Sequence, residues 1–377
     1  VRAKVLKDPA LAKHAGRFAW LSIDGEDAAN AVFTERVGIG GYPTFYVIDA
    51  ATEQVALRWY GSLTAAQFER LLDDGERAAA GAGSSPAEEA LARADRLGGG
   101  GDPAEAARAY AEALSRAPAG WPSRGRTVES MLYALRKAGD LEGCAAAAQR
   151  EVPGLERGPS FANAAAAGIA CALEGPAGAP WRAGALRALE PFVKESLVLE
   201  SVLADDRSGC YEMLVEAAKE RGDKIAEREF AEGWLRFLEG ESGKAPDPET
   251  RAAFDSHRVA AALALGDPGR AVPALLASER DLPDDYNPPA RLAILYREMG
   301  RYDEALAASA RALSMAYGPR KLRLYDTRAD VFVRKGDAAA ARSTIEEALR
   351  YADSLPASQR PARLVDQLKQ KLVSAGG

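Results

Sequence analysis

The dipeptide Gly-Asp returns along this chain at residues 101, 139, 222, 266 and 336, and Gly300-Arg301 stands where a further copy would fall. Successive spacings are 38, 83, 44, 34 and 36 residues, the 83 covering two units. One local reading accounts for all of them. Glycine closes a helix in the left-handed conformation, and the Asp side chain caps the first turn of the next helix. At 101–103 and 266–268 a proline follows, the residue suited to a first helical turn. A stop-and-start signal at this period predicts an array of helical hairpins, none of which can bury its apolar stripe without a neighbour.

Small residues recur at fixed offsets from the marker. Around Gly300 they are Ala293, Ala305 and Ala312, with Tyr296 before the turn. Around Gly336, Tyr325, Ala329, Phe332, Ala341 and Ala348 repeat those offsets. Around Gly101 the set is Ala94, Leu97, Ala106, Tyr110 and Ala113, closed by Pro118. Around Gly266, Ala271 and Ser278 are followed by Pro283. This pattern resembles the tetratricopeptide repeat, which implies an all-α solenoid that binds protein or peptide partners. Seven hairpins are expected over residues 87–357, with a capping helix in 358–377. The units near Gly139 and Gly222 depart from the pattern, since Glu227 and Trp234 stand where small residues are expected.

Residues 1–79 read differently. VLKDPALAKHAGRF looks helical, FAWLSID (18–24) suits a buried strand, and DAANAVFTERVG (27–38) is amphipathic with Ala31, Val32, Phe33 and Val37 inward. TFYVID and QVALRWYG form an expected hairpin, and the helix over 63–78 turns Leu63, Phe68, Leu71 and Leu72 to it. This α-β-α-β-β-α order, with Gly-Tyr-Pro-Thr before the hairpin and Gly61 after it, resembles the C-terminal part of a bacterial-type thioredoxin-like domain. The resemblance implies a cis bond at Pro43 and a substrate groove along Gly41, Tyr42, Pro43 and Thr44, where Tyr42 would offer its backbone to an extended peptide. It also implies a CxxC pair falling before Val1, so the expected sheet is incomplete and this segment holds no dithiol. GAGSSP, within a linker over 80–86, separates the two parts.

The totals exclude several classes. The formal charge of −6 is spread without basic clusters, which argues against nucleic acid as the partner. The longest nearly uncharged helical stretch, 161–175, is too short to span a bilayer. Cys144, Cys171 and Cys210 are widely spaced and odd in number, and they read as small buried hydrophobes. With only His14 and His257, both read as solvated, neither a metal site nor a cofactor is expected. The GGGGD run at 98–102 lacks the Lys-Ser/Thr of a phosphate loop and belongs to a repeat turn. Cysteine usage suits a reducing cytosol or a cell envelope equally, so no compartment follows.

Charge on the late repeats is the remaining functional signal. Arg291, Arg297, Arg323, Asp326, Asp330 and Arg334 fall at offsets that, by the resemblance, line the concave side of a tetratricopeptide array and suit a charged peptide. Two functions stay open: a thiol-disulfide oxidoreductase whose repeats recruit its substrates, and a non-catalytic interaction scaffold.

Overall fold

The computed structural model describes residues 5–37, 42–79, 85–99 and 101–374. Contacts divide the chain into two units, Val1–Ala19 with Arg36–Trp234, and Trp20–Glu35 with Leu235–Gly377.

In the first unit, β1 (Thr44–Ile48) and β2 (Val55–Tyr60) form an antiparallel hairpin with Thr44 opposite Tyr60 and a register shift at Val47/Ile48. Helix α2 (Ala65–Ala79) covers it, burying Phe68, Leu71 and Leu72 beside Leu63, as its apolar spacing predicts. The sheet has only these two strands among the described residues, less than the thioredoxin-like sheet implied by the resemblance. FAWLSID is not a strand: Trp20 and Leu21 are 50% and 78% exposed. A strand exists only through its ladder partners, and an apolar run without one stays irregular. The N-terminal helix is likewise two short 3₁₀ turns, Val5–Lys7 and Pro9–His14. His14 is fully buried rather than solvated, with Nδ1 2.7 Å from the Arg17 guanidinium.

The same unit carries the helix pairs α3 (Pro86–Gly98) with α4 (Pro103–Arg116), α5 (Arg124–Lys137) with α6 (Leu141–Glu151), and α7 (Pro159–Glu174) with α8 (Pro180–Ser196). Next comes α9 (Ala204–Glu220), paired with the start of α10 (Lys224–Gly243). Each second helix packs on the first helix of the next pair, from α4 on α5 to α8 on α9. Trp234, large where a small residue was expected, is 1% exposed and donates its indole N–H to Ser208 Oγ at 2.5 Å. Cys144 and Cys171, read from the sequence as separate thiols, form a disulfide between α6 and α7 at a Cα separation of 6.1 Å, while Cys210 is a buried free thiol. Stacking brings two cysteines 27 positions apart in sequence to one point, which spacing alone does not reveal.

In the second unit α11 (Pro248–Ala252) precedes α12 (Asp255–Ala264), which a 3₁₀ turn joins to α13 (Val272–Asp281). Then follow α14 (Asn287–Glu298) with α15 (Tyr302–Met315), α16 (Lys321–Lys335) with α17 (Ala338–Ser354), and the closing α18 (Ala362–Ser374). First helices α12, α14, α16 and α18 lie side by side in a row. The small positions Ala293, Ala305, Ala312, Ala329, Ala341 and Ala348 are all buried, which is what lets these helices approach closely. Helix α1 (Ala31–Val37) spans the boundary of the two units, and Val32, expected inward, is 80% exposed.

The Gly-Asp marker works as its chemistry suggests. At Gly336, φ is +85°, so the following Asp337 N–H folds back to the Phe332 carbonyl at 2.9 Å. The Asp337 side chain then accepts from Ala340 N–H at 2.9 Å and starts α17. Gly139, Gly222, Gly266 and Gly300 share the positive φ; Gly101 does not, and there the N–H of Gly101 itself closes on Leu97 at 2.8 Å.

Candidate protein-binding surfaces

Along the first-helix row of the second unit, opposite charges on neighbouring helices meet. Arg297 of α14 lies 3.5 Å from Asp330 of α16, and Lys371 of α18 donates to Asp326 and Asp330 at 2.6 and 2.8 Å. Arg334 of α16 donates to Glu298 of α14 at 3.0 Å. Four of the six candidate charges are therefore brought together in one ladder across α14, α16 and α18. Arg291 is half-buried on α14, its guanidinium pKa lowered by burial against the opposing charges of Asp255 and Asp285. Arg323 is exposed, and its charge acts on Glu26 instead. Lys371 completes the ladder but was not singled out from the sequence; its signal is a cation in a capping helix one repeat length beyond Asp330.

In the first unit, the Tyr42–Pro43 bond is cis and the Pro43 carbonyl accepts from Gly61 N–H at 3.0 Å. Tyr42 is half exposed and Thr44 opens β1, while Gly41 lies outside the described residues. At the C-terminal end of β2, opposite Thr44, Tyr60 stacks on Tyr133 of α5 with ring centroids 3.7 Å apart. The Arg58 guanidinium lies 5.6 Å from the Tyr133 centroid and Lys137 lies 6.0 Å from it.

Beneath this cluster runs a buried polar network that ties the hairpin to the repeats. Asp95 of α3 is fully buried, accepting from Tyr110 Oη and from Arg126 Nη1, each at 2.9 Å. Arg126 also donates to the Arg58 carbonyl at 3.1 Å, and Arg58 donates to the Gly98 carbonyl at 2.7 Å. Burial, with the Asp95 charge second, raises the Tyr110 phenol well above its ordinary range. Sequence reading missed Asp95; the available signal is an acid set directly beside Ala94 and four residues after Leu91, inside the apolar stripe of α3.

Glu129 of α5 faces α7, where it accepts from Asn163 Nδ2 at 3.0 Å. Burial pushes its carboxyl from 4.5 up to about 7, against hydrogen bonds from Ser160 and Asn163 that act the other way. Between those two pH values the folded chain holds a proton that the unfolded chain has released. Stability should therefore fall as pH rises from about 4.5 to about 7 and level off above. Urea denaturation across that window should show this slope in the wild type and its loss in Glu129→Gln. An unchanged slope in the variant would assign it elsewhere.

A stack of paired helices closed on short turns, with laddered charge along its first helices, defines a helical-repeat protein. Residues 286–354, which hold α14 to α17 and all six candidate charges, match the family model described as tetratricopeptide repeat. The fold is similar to that of a tetratricopeptide repeat protein from Parabacteroides merdae ATCC 43184, with a TM-score of 0.50 and 12% identity over 78% of this chain and 100% of that one. A more distant likeness is to the TPR2AB domain of yeast Sti1 in its complex with pHSP90, with a TM-score of 0.28 and 16% identity over 77% of this chain and 100% of that one. No curated protein matches the chain. Residues 286–354 thus carry tetratricopeptide repeats, and most of the described residues are helical. Among the described residues no cluster of His, Cys, Asp or Glu could hold a metal ion, and no helix is long and apolar enough to cross a membrane.

Proposed function

We propose that this protein is an interaction scaffold that holds protein or peptide partners on the first-helix row of its repeats. The observation that carries this reading is the ladder of Arg297, Asp330, Lys371 and Asp326 across α14, α16 and α18. Alternating charges at successive helices match a ligand of alternating charge, with each ion pair exchangeable for one to the partner. Screening a library of charged peptides against the full chain tests it. Retained peptides should bind at least about tenfold more weakly to Asp326→Asn/Asp330→Asn, and more weakly still at high salt. Retained peptides indifferent to both changes would remove this row as the site.

A second reading concerns the N-terminal part. We infer that β1, β2 and α2 belong to a thioredoxin-like domain whose parent protein is a thiol-disulfide oxidoreductase, with Tyr42, Pro43 and Thr44 along its substrate groove and the repeats as its recruiting arm. The support is the order and packing of these elements, a hairpin that opens at Gly-Tyr-Pro-Thr and is covered by the helix that follows. Insulin reduction by the full-length protein tests it. An absence of turnover, with a Cys pair present, ends this reading and leaves the scaffold.

A further inference from the structure

Within the second unit, residues Asp24–Asp27 form a tight acidic turn seated against the turns that lead into α16 and α18. Glu26 N–H closes on Asp24 Oδ1 at 2.9 Å, and Asn30 Nδ2 donates to the Asp24 carbonyl at 2.9 Å, so the turn is shaped by its own residues. Every surface around it supplies a complement. Tyr317 Oη donates to Asp24 Oδ2 at 2.5 Å, and Arg320 Nε meets Glu26 Oε1 at 2.5 Å. Gln359, itself buried, donates Nε2 to the carbonyls of Gly25 and Asp27 at 3.1 and 3.0 Å. Gly318 has φ +62°, and a Cβ there would lie 2.6 Å from the Glu26 carbonyl oxygen, so only glycine permits this approach.

Three features distinguish this from incidental packing. Contacts fall on backbone carbonyls as well as on carboxylates, so the surface reads a turn shape together with its charge. The receiving groups come from two successive inter-hairpin turns, those before α16 and α18, which places them at the spacing of the array. Arg320 and Arg323 both act on Glu26, leaving the positive side on the repeats.

We propose that this surface is a receptor for acidic turns of partner proteins, kept filled by the chain's own Asp24–Asp27. It lies apart from the Arg297–Asp330–Lys371 ladder, so it stands whether or not that row binds peptide. A tethered segment acts at an effective concentration of order millimolar, so an external turn reaches the receptor only in competition with it. Weakening the tethered copy frees the receptor and raises the apparent affinity in proportion.

The probe is a fluorescent synthetic peptide of residues 20–35, titrated against the full chain. Asp24→Asn/Glu26→Gln in the chain should tighten binding at least about tenfold over wild type. Adding Arg320→Ala to that variant should reverse the gain, and a peptide carrying the same two neutral residues should bind at least about tenfold more weakly. Equal affinity for wild type and variant, no binding to the variant, or indifference to Arg320→Ala would each overturn the proposal. Should the double variant lose its fold by circular dichroism, hydrogen exchange of the wild-type chain replaces it. Protection of residues 24–30 should then fall as unlabelled peptide is added, and unchanged protection at high peptide would overturn the proposal equally.

Discussion

Replacing Asp95 with alanine should destabilise the first unit by about 3–5 kcal/mol, because Arg126 is then left as an uncompensated buried charge. Arg126 is 8% exposed and its partner carboxylate is fully buried, so water cannot take over the lost interaction. Tyr110 loses its acceptor in the same change, and the link from Arg126 to the Arg58 carbonyl loses its anchor. The consequence extends to the hairpin, since β2 is held on α3 and α5 partly through these bonds. Urea denaturation followed by circular dichroism gives the magnitude, and hydrogen exchange in β2 gives the spread. Asp95→Leu with Arg126→Met should recover much of the loss, because removing both partners removes the unpaired charge. A loss below about 1 kcal/mol in the single variant would show that the network is hydrated rather than buried.

Opening the Cys144–Cys171 disulfide should cost about 2–4 kcal/mol, the usual range for a bridge that closes a loop of this size. The bond joins the second helix of one pair to the first helix of the next, so it staples a nearest-neighbour interface in an array whose stability is a sum of such interfaces. The loss should accordingly concentrate in α5 to α8 and leave α14 to α18 unaffected. Thiol titration in denaturant should find one free thiol before reduction, from Cys210, and three after it. Three thiols in never-reduced protein would refute the bridge. Denaturation of Cys144→Ala/Cys171→Ala then separates the covalent contribution from packing, because both positions are fully buried.

Both effects arise at residues that the sequence presents without distinction. Asp95 is one acid among many on amphipathic helices, and Cys144 lies in a run of alanines. Trp234 shows the opposite case: it breaks the small-residue pattern in sequence, yet the fold buries it and supplies Ser208 as acceptor. The FAWLSID run shows a third. Its apolar composition suits a strand, but strand formation needs a ladder partner, and no local pattern can supply one.

The candidate charges divide along the same line. Arg297, Asp326, Asp330 and Arg334 were legible as a group because helical offsets place them on one side of α14 and α16. That they meet Lys371 and Glu298, while the charge of Arg323 acts on Glu26, depends on which helices become neighbours.

What the amino-acid order determined unaided is the hairpin array itself: where each helix stops, where the next begins, and which side is small enough to pack. These are interactions within about five residues, a left-handed glycine, an N–H folded back and a carboxylate on the next turn, and they operate wherever the chain goes. Tertiary structure alone decided the Cys144–Cys171 bridge, the buried charge of Asp95 and the seat of Asp24–Asp27 on the turns before α16 and α18. Each joins groups separated by tens to hundreds of residues, and its energy exists only after stacking has excluded water and set their distance.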